Sequence, residues 1–113
     1  MAEELVVACL CAAWCTSCRE YRGRLEQMRA SLPHVTFVWV DIEDEAELVG
    51  AIEVENFPTL LVATGSAPRF FGPLTPHPEA LERLLRASDS LPEITDRAIA
   101  ELHYRIRAAQ RGA

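Results

Sequence analysis

Three short runs of this chain are apolar almost without interruption: ELVVACLC ending at Cys11, VTFVWVDI from Val35 to Ile42, and PTLLVAT from Pro58 to Thr64. Runs of this length, rich in Val and Leu, are the pattern of strands buried on both faces. A shorter run, PRFFG, follows Gly65-Ser66 and closes a hairpin with the third. Between the first two runs the period changes. Cys18, Tyr21, Leu25, Met28 and Leu32 recur three and four residues apart, which predicts a helix over Thr16 to Ser31. Arg19, Glu20, Arg22, Arg24 and Glu26 take its wet side, Gly23 interrupts it as a candidate bend, and Pro33 ends it. DEAELVGAI predicts a short helix with Ala46, Val49 and Ile52 on one side. Thr75 is a candidate N-cap with Pro76 at the first helical position, and Leu81, Leu84, Leu85 and Ser88 line one face of the helix that follows. Ser90 and Glu93 have capping-box spacing and open a last helix, with Ile94, Ala98, Ile99, Leu102 and Ile106 inward.

The order is βαβ, α, ββ, α, α, without repeats or low-complexity tracts. It predicts a small mixed sheet with helices on both faces and a right-handed, parallel first βαβ unit. A length of 113 residues suits one domain. The net charge of -6 sets the chain against phosphate backbones, so nucleic acid is not an expected partner. All the basic residues are arginines. No stretch approaches the roughly 18 apolar residues of a membrane span. Glu3 and Glu4 stand where a signal peptide needs basic residues, so a cytosolic protein is expected.

In a reducing compartment a Cys-x-x-Cys pair points to catalysis or metal binding. All four cysteines, Cys9, Cys11, Cys15 and Cys18, fall within one short stretch. Cys15 stands at the mouth of the first helix, where free N–H groups and the positive dipole end favour a thiolate. Cys18 lies one turn on, at the head of the apolar stripe. Two residues between them permit a disulfide across that turn, with one sulfur attacking and the other resolving. Cys9 and Cys11 face one side of their strand and read as small core residues. A four-cysteine zinc or iron–sulfur site is the alternative, and strand rigidity argues against it. His34, His77 and His103 share no spacing and read as surface residues, and Trp39 reads as core.

AAWCTSC before an amphipathic helix, and NFPTLLV further on, resemble a thioredoxin over roughly Leu5 to Ala87. The resemblance implies a thioredoxin-like α/β fold with a four-stranded mixed sheet. It assigns residues 1–88 to that domain and residues 89–113 to an extra C-terminal helix packed on it. The usual N-terminal strand and helix have no counterpart. Cys15 would be the attacking and Cys18 the resolving sulfur. Trp14, Phe57, Pro58 and Thr59 would form the substrate surface, with Pro58 in the family's cis-proline position. Thr16, Ser17 and Cys9 would tune the sulfurs. The chain departs from the family at Cys9, where a buried Asp is usual, at Trp39, where that Asp's Lys partner is usual, and at Gly23, where a Pro is common. The implied function is thiol–disulfide exchange with protein substrates, with no cofactor and no metal. A separate reductase or small thiol would supply electrons. The chain is expected as a monomer, with a dimer through the C-terminal helix as the competing outcome. A redox-inactive binding domain using the Trp14/Pro58 surface is the alternative function.

Overall fold

A computed structural model describes residues 5–12, 14–50, 52, 54, 58–65, 67–73 and 78–112, without the side chains of 17, 78 and 110–112. The expectations for Phe57, Thr75, Pro76 and His77, and for the Ser17 side chain, lie outside the described residues.

The apolar runs form the strands β1 (Leu5–Cys11), β2 (Val35–Asp41), β3 (Thr59–Thr64) and β4 (Ala67–Pro73). They make one sheet in the order β2-β1-β3-β4. β1 and β2 are parallel, as a crossover through a helix requires, and β3 pairs antiparallel with both β1 and β4. The hairpin turn contains Gly65 at a φ of 59°, a left-handed conformation that favours glycine. The two central strands, β1 and β3, are buried on both faces, in keeping with their unbroken apolar runs.

Side chains alternate across β1, and the sheet has two cores. On one face Val7, Cys9 and Cys11 join Leu60 and Val62 of β3 beneath α1 (Thr16–Ser31) and α3 (Pro78–Ala87). Cys18, Tyr21, Leu25 and Met28 of α1 are buried there, so the three-and-four spacing does mark the inward side. On the other face Ala8, Leu10 and Leu61 pack with Val49 of α2 (Ala46–Val49) and with Leu102 and Ile106 of α4 (Arg97–Gly112). Burying Leu102 and Ile106 contributes about 1.5–3 kcal/mol each before ordering costs.

Polar contacts hold α4 in place. Arg105 donates to the Leu48 and Val49 carbonyls at 2.7 and 3.2 Å, which caps the end of α2. Arg107 donates to the Gly65 carbonyl in the hairpin turn. Ahead of α4, the Ile94 N–H bonds the Pro68 carbonyl at 2.8 Å, and Arg69 donates to the Leu91 carbonyl at 2.8 Å.

Four expectations change. α2 is a single turn, stopped by Gly50 at a φ of 67°. The last helix opens at Asp96 rather than Ser90: the Asp96 carboxylate accepts the Ile99 N–H at 3.2 Å, the N3 position of a cap. Ser90 spends its hydroxyl on the Ala87 carbonyl at 2.8 Å, and the Ile94–Pro68 bond holds the intervening backbone extended. His103 is buried, because α4 turns that side towards the hairpin and Arg107. Trp39 is half-buried, with the Arg22 guanidinium 5.0 Å from its ring centroid.

Candidate active site around the cysteine cluster

The C-terminal end of β1 delivers the chain to the mouth of α1. Cys15 occupies the N-cap with extended backbone (φ −84°, ψ 119°), and its side chain makes no capping hydrogen bond. Its N–H donates to the Ala12 carbonyl at 3.0 Å and its carbonyl accepts the Arg19 N–H at 3.2 Å, which ties the turn at both ends. The Cys15 sulfur is therefore not occupied in capping. The residue is half-buried, a free thiol at the rim of the first core.

Trp14, immediately before it, is 63% exposed, a large area of apolar side chain left at the surface beside a free thiol. Thr16 begins α1 and is exposed. Pro58 is buried just ahead of β3. β1 and β3 pair antiparallel with Leu10 opposite Thr59, so Pro58 falls one step on, level with Cys11 at the end of β1 where the cysteines gather. Thr59 is buried and pairs with Leu10 on one side and Pro73 on the other. The register thus brings Pro58 and Thr59 to the end of the sheet that carries Cys11.

Cys18 is fully buried. A helical side chain leans towards the helix N-terminus, and from the first turn of α1 that direction leads to the end of β1. There Cys18 is bonded to Cys11, with Cα atoms 5.8 Å apart, inside the usual range for a disulfide. The sequence reading paired Cys18 with Cys15 and counted Cys11 as core packing; in this structure Cys11 is its partner. The signal was present: Cys11 lies on the same strand face as Cys9, and that face is the one the α1 stripe covers.

Cys9 completes the cluster. Its sulfur lies 3.6 Å from that of Cys11. A bridged sulfur carries no proton, so Cys9 is the donor in this contact. Burial pushes the Cys9 thiol up to about 12, so it stays protonated at neutral pH and does not act as a nucleophile. Tyr21 sits in the same core, and its hydroxyl has no hydrogen-bond partner among the described residues. Burial, and then the nearness of Cys9, push its phenol well above the usual tyrosine range. Among the described residues no group of three or more His, Cys, Asp or Glu side chains is placed to hold a metal ion, and no helix is long and apolar enough to cross a membrane.

The comparisons with known proteins follow the same lines. The thioredoxin family model matches residues 1–77. Thioredoxins of Chlamydia pneumoniae and Chlamydia trachomatis are each 36% identical over 62 residues, 55% of this chain and 61% of the relative. The chain thus spans about three-fifths of the length of these relatives. Among solved structures, Fasciola hepatica thioredoxin superposes with a TM-score of 0.69 at 21% identity, covering 77% of this chain and 83% of that one. Thioredoxin from Trypanosoma brucei brucei superposes with a TM-score of 0.66 at 27% identity, covering 80% of each chain. The four-stranded mixed sheet flanked by helices is the thioredoxin fold, here with a further C-terminal helix. With two-thirds of its length under the family model, a matching sheet and a Cys-x-x-Cys at the mouth of α1, this chain belongs to the thioredoxin family.

Proposed function

We propose that this chain is a thiol–disulfide oxidoreductase acting on protein disulfides through Cys15 and Cys18. The observation that carries the reading is the asymmetry of these two sulfurs. Cys15 is a free thiol at the helix mouth within reach of solvent, and Cys18, one turn on, is buried. The Cys15 thiolate attacks one sulfur of a substrate disulfide, and the other sulfur leaves as a thiolate. The Cys18 thiol then gives up its proton and attacks the Cys15 sulfur. The second substrate sulfur departs, and two electrons have passed to the substrate. The dithiol must be restored by an external reductant, either a separate reductase or a small thiol. Exposed Trp14 beside Cys15, together with Pro58 ahead of β3, would form the docking surface. An extended substrate would pair there through its main chain, with little demand on its sequence.

The cytosol is the compartment this chemistry suits, since it keeps the dithiol reduced. The experiment is reduction of insulin disulfides with a small thiol as the electron source. Wild type accelerates it above the background of the thiol alone, and Cys15→Ser abolishes the acceleration. A Cys15→Ser protein as active as wild type would remove Cys15 from the reaction.

A further inference from the structure

Cys15 is half-buried at the helix mouth, Cys18 is buried and bonded to buried Cys11, and buried Cys9 lies 3.6 Å from Cys11. A single resolving cysteine needs one partner, yet Cys18 has two candidates. Cys15 precedes it in the turn that opens α1, and Cys11 lies across at the end of β1. We propose that Cys11 is a third redox cysteine, which takes Cys18 from the Cys15–Cys18 disulfide and returns Cys15 to the free thiol. The proposal rests on the exchange reaction of the preceding subsection, which forms the Cys15–Cys18 disulfide in the first place.

The step balances without an outside oxidant. The Cys11 sulfur attacks Cys18, the Cys11–Cys18 bond forms, and the Cys15–Cys18 bond breaks. The proton lost by Cys11 ends on Cys15 or in solvent. One disulfide and one thiol stand on each side. Burial gives the direction. A disulfide carries no charge and no strong hydrogen-bonding group, so the dry site beneath α1 suits it. The sulfur set free is the one that solvent reaches. Cys9 touches the bridge on its Cys11 side, sulfur to sulfur at 3.6 Å.

Two consequences follow for Cys15. It lies inside the loop that the Cys11–Cys18 bond closes, so that bond pins the backbone on both sides of it. With Cys18 occupied, a mixed disulfide formed at Cys15 has no resolving thiol and persists. The oxidised protein therefore works as a monothiol acceptor, and glutathione disulfide is enough to load it: the Cys15 sulfur bonds one glutathione and the other leaves as thiolate. The buried bridge is itself out of reach of soluble reductants. It reopens only when the Cys15 thiolate attacks Cys18.

Chymotryptic cleavage after Trp14 reads the bridge directly. The protein is oxidised with glutathione disulfide, its thiols are blocked by alkylation at low pH, and the fragments are weighed. The expected result is that the Cys11 and Cys18 fragments stay linked across the cut, with Cys15 carrying glutathione or the alkyl tag. Separate fragments, with Cys11 tagged and Cys15 bonded to Cys18, would overturn the proposal. A variant that leaves Cys11 and Cys18 in place tests the route to the bridge. Cys15→Ser, treated with glutathione disulfide, is expected to form the Cys11–Cys18 bridge severalfold more slowly than wild type. Formation of that bridge at the wild-type rate overturns the proposal. If wild type forms the bridge, keeps a lasting glutathione adduct on Cys15 and yet never reduces insulin, the proposal is supported and the reductase reading alone falls.

Discussion

The two faces of the sheet are built from the same strands and do different work. The face beneath α1 and α3 carries Cys9, Cys11 and Cys18 among its buried residues, with Cys15 at its rim. The face beneath α2 and α4 is aliphatic, with Leu10, Val40, Leu61, Leu102 and Ile106. Polar groups at its edge hold α4 down, through Arg105 on the end of α2 and Arg107 on the hairpin turn. Odd positions of β1 face the sulfurs and even positions face the aliphatic core. A one-residue slip of β1 would send Cys9 and Cys11 to the other face, away from Cys18. The register is protected because both faces are buried. The comparison teaches that one face carries the cysteines within its packing, while the other is aliphatic packing alone.

Placing a charge on each face in turn would break the comparison. The larger effect is expected on the sulfur face. Cys9→Asp buries a carboxylate where the thiol it replaces is already held well above its usual range by burial. A fully buried carboxyl can shift by ~3–5 pH units, a cost of up to about 4–7 kcal/mol at high pH. The folded-state pKa rises above the unfolded value, so the native state binds more protons between the two. The variant is therefore nearest to wild type at acid pH and loses stability as pH rises. Urea unfolding at pH 4 and pH 8 checks this. The same carboxylate would stand beside Cys11 and Cys18 as a proton acceptor, so exchange should quicken in whatever protein remains folded. An unchanged pH–rate profile would show that position 9 does not serve the resolving thiol.

On the aliphatic face the charge can be added by titration. His103 is buried and accepts a hydrogen bond from Arg107 at 3.1 Å through Nε2, which requires the neutral ring. Burial, and then the Arg107 charge, lower its pKa from the ordinary value. The unfolded chain binds this proton more readily than the folded one. The stability His103 contributes is thus complete above its unfolded pKa and is lost as pH falls towards the folded pKa. Thermal unfolding between pH 8 and pH 5 should show the loss, and His103→Asn should flatten it. Because the charge enters at α4 and far from the sulfurs, the alkylation rate of Cys15 in the folded protein should follow the same pH curve in both proteins. A difference between them would show that the two faces are coupled.

Much of this was legible in the residues. The unbroken runs of β1 and β3 declared strands buried on both sides, and the spacing of Cys18, Tyr21, Leu25 and Met28 declared the inward side of α1. What escaped were features settled by contacts between distant segments. Ser90 and Asp96 both satisfy local capping rules, and the Pro68 carbonyl decides between them by holding Ile94 in extended chain. His103 looked like any surface histidine until α4 was laid against the hairpin turn. The partner of Cys18 was hidden for the same reason. The Cys-x-x-Cys spacing is a local pattern and suggests a local bond, whereas Cys11 reaches Cys18 only once strand and helix are packed.

The smallest expected effect sharpens the contrast within α1 itself, which carries Cys18 on its inner side and Gly23 on its outer side. Gly23 lies inside the helix and is exposed, and a Cβ built there meets nothing within 4 Å. Its backbone is not in the positive-φ region where a side chain would be strained. Glycine at such a position costs about 0.5–1 kcal/mol relative to alanine, through the freedom it adds to the unfolded chain. Gly23→Ala should therefore stabilise the protein by that amount and raise its melting temperature by a few degrees. The added methyl touches neither core, so the alkylation rate of Cys15 and the partner of Cys18 should stay as they are. The melting curve and the chymotryptic map report on the two halves of this expectation separately. Higher stability with an altered bridge would mean that Gly23 bends α1 and that the bend sets which sulfur Cys18 reaches. Higher stability with the same bridge would mean that the first turn of α1 is positioned by the end of β1 alone, and that the rest of the helix is packing.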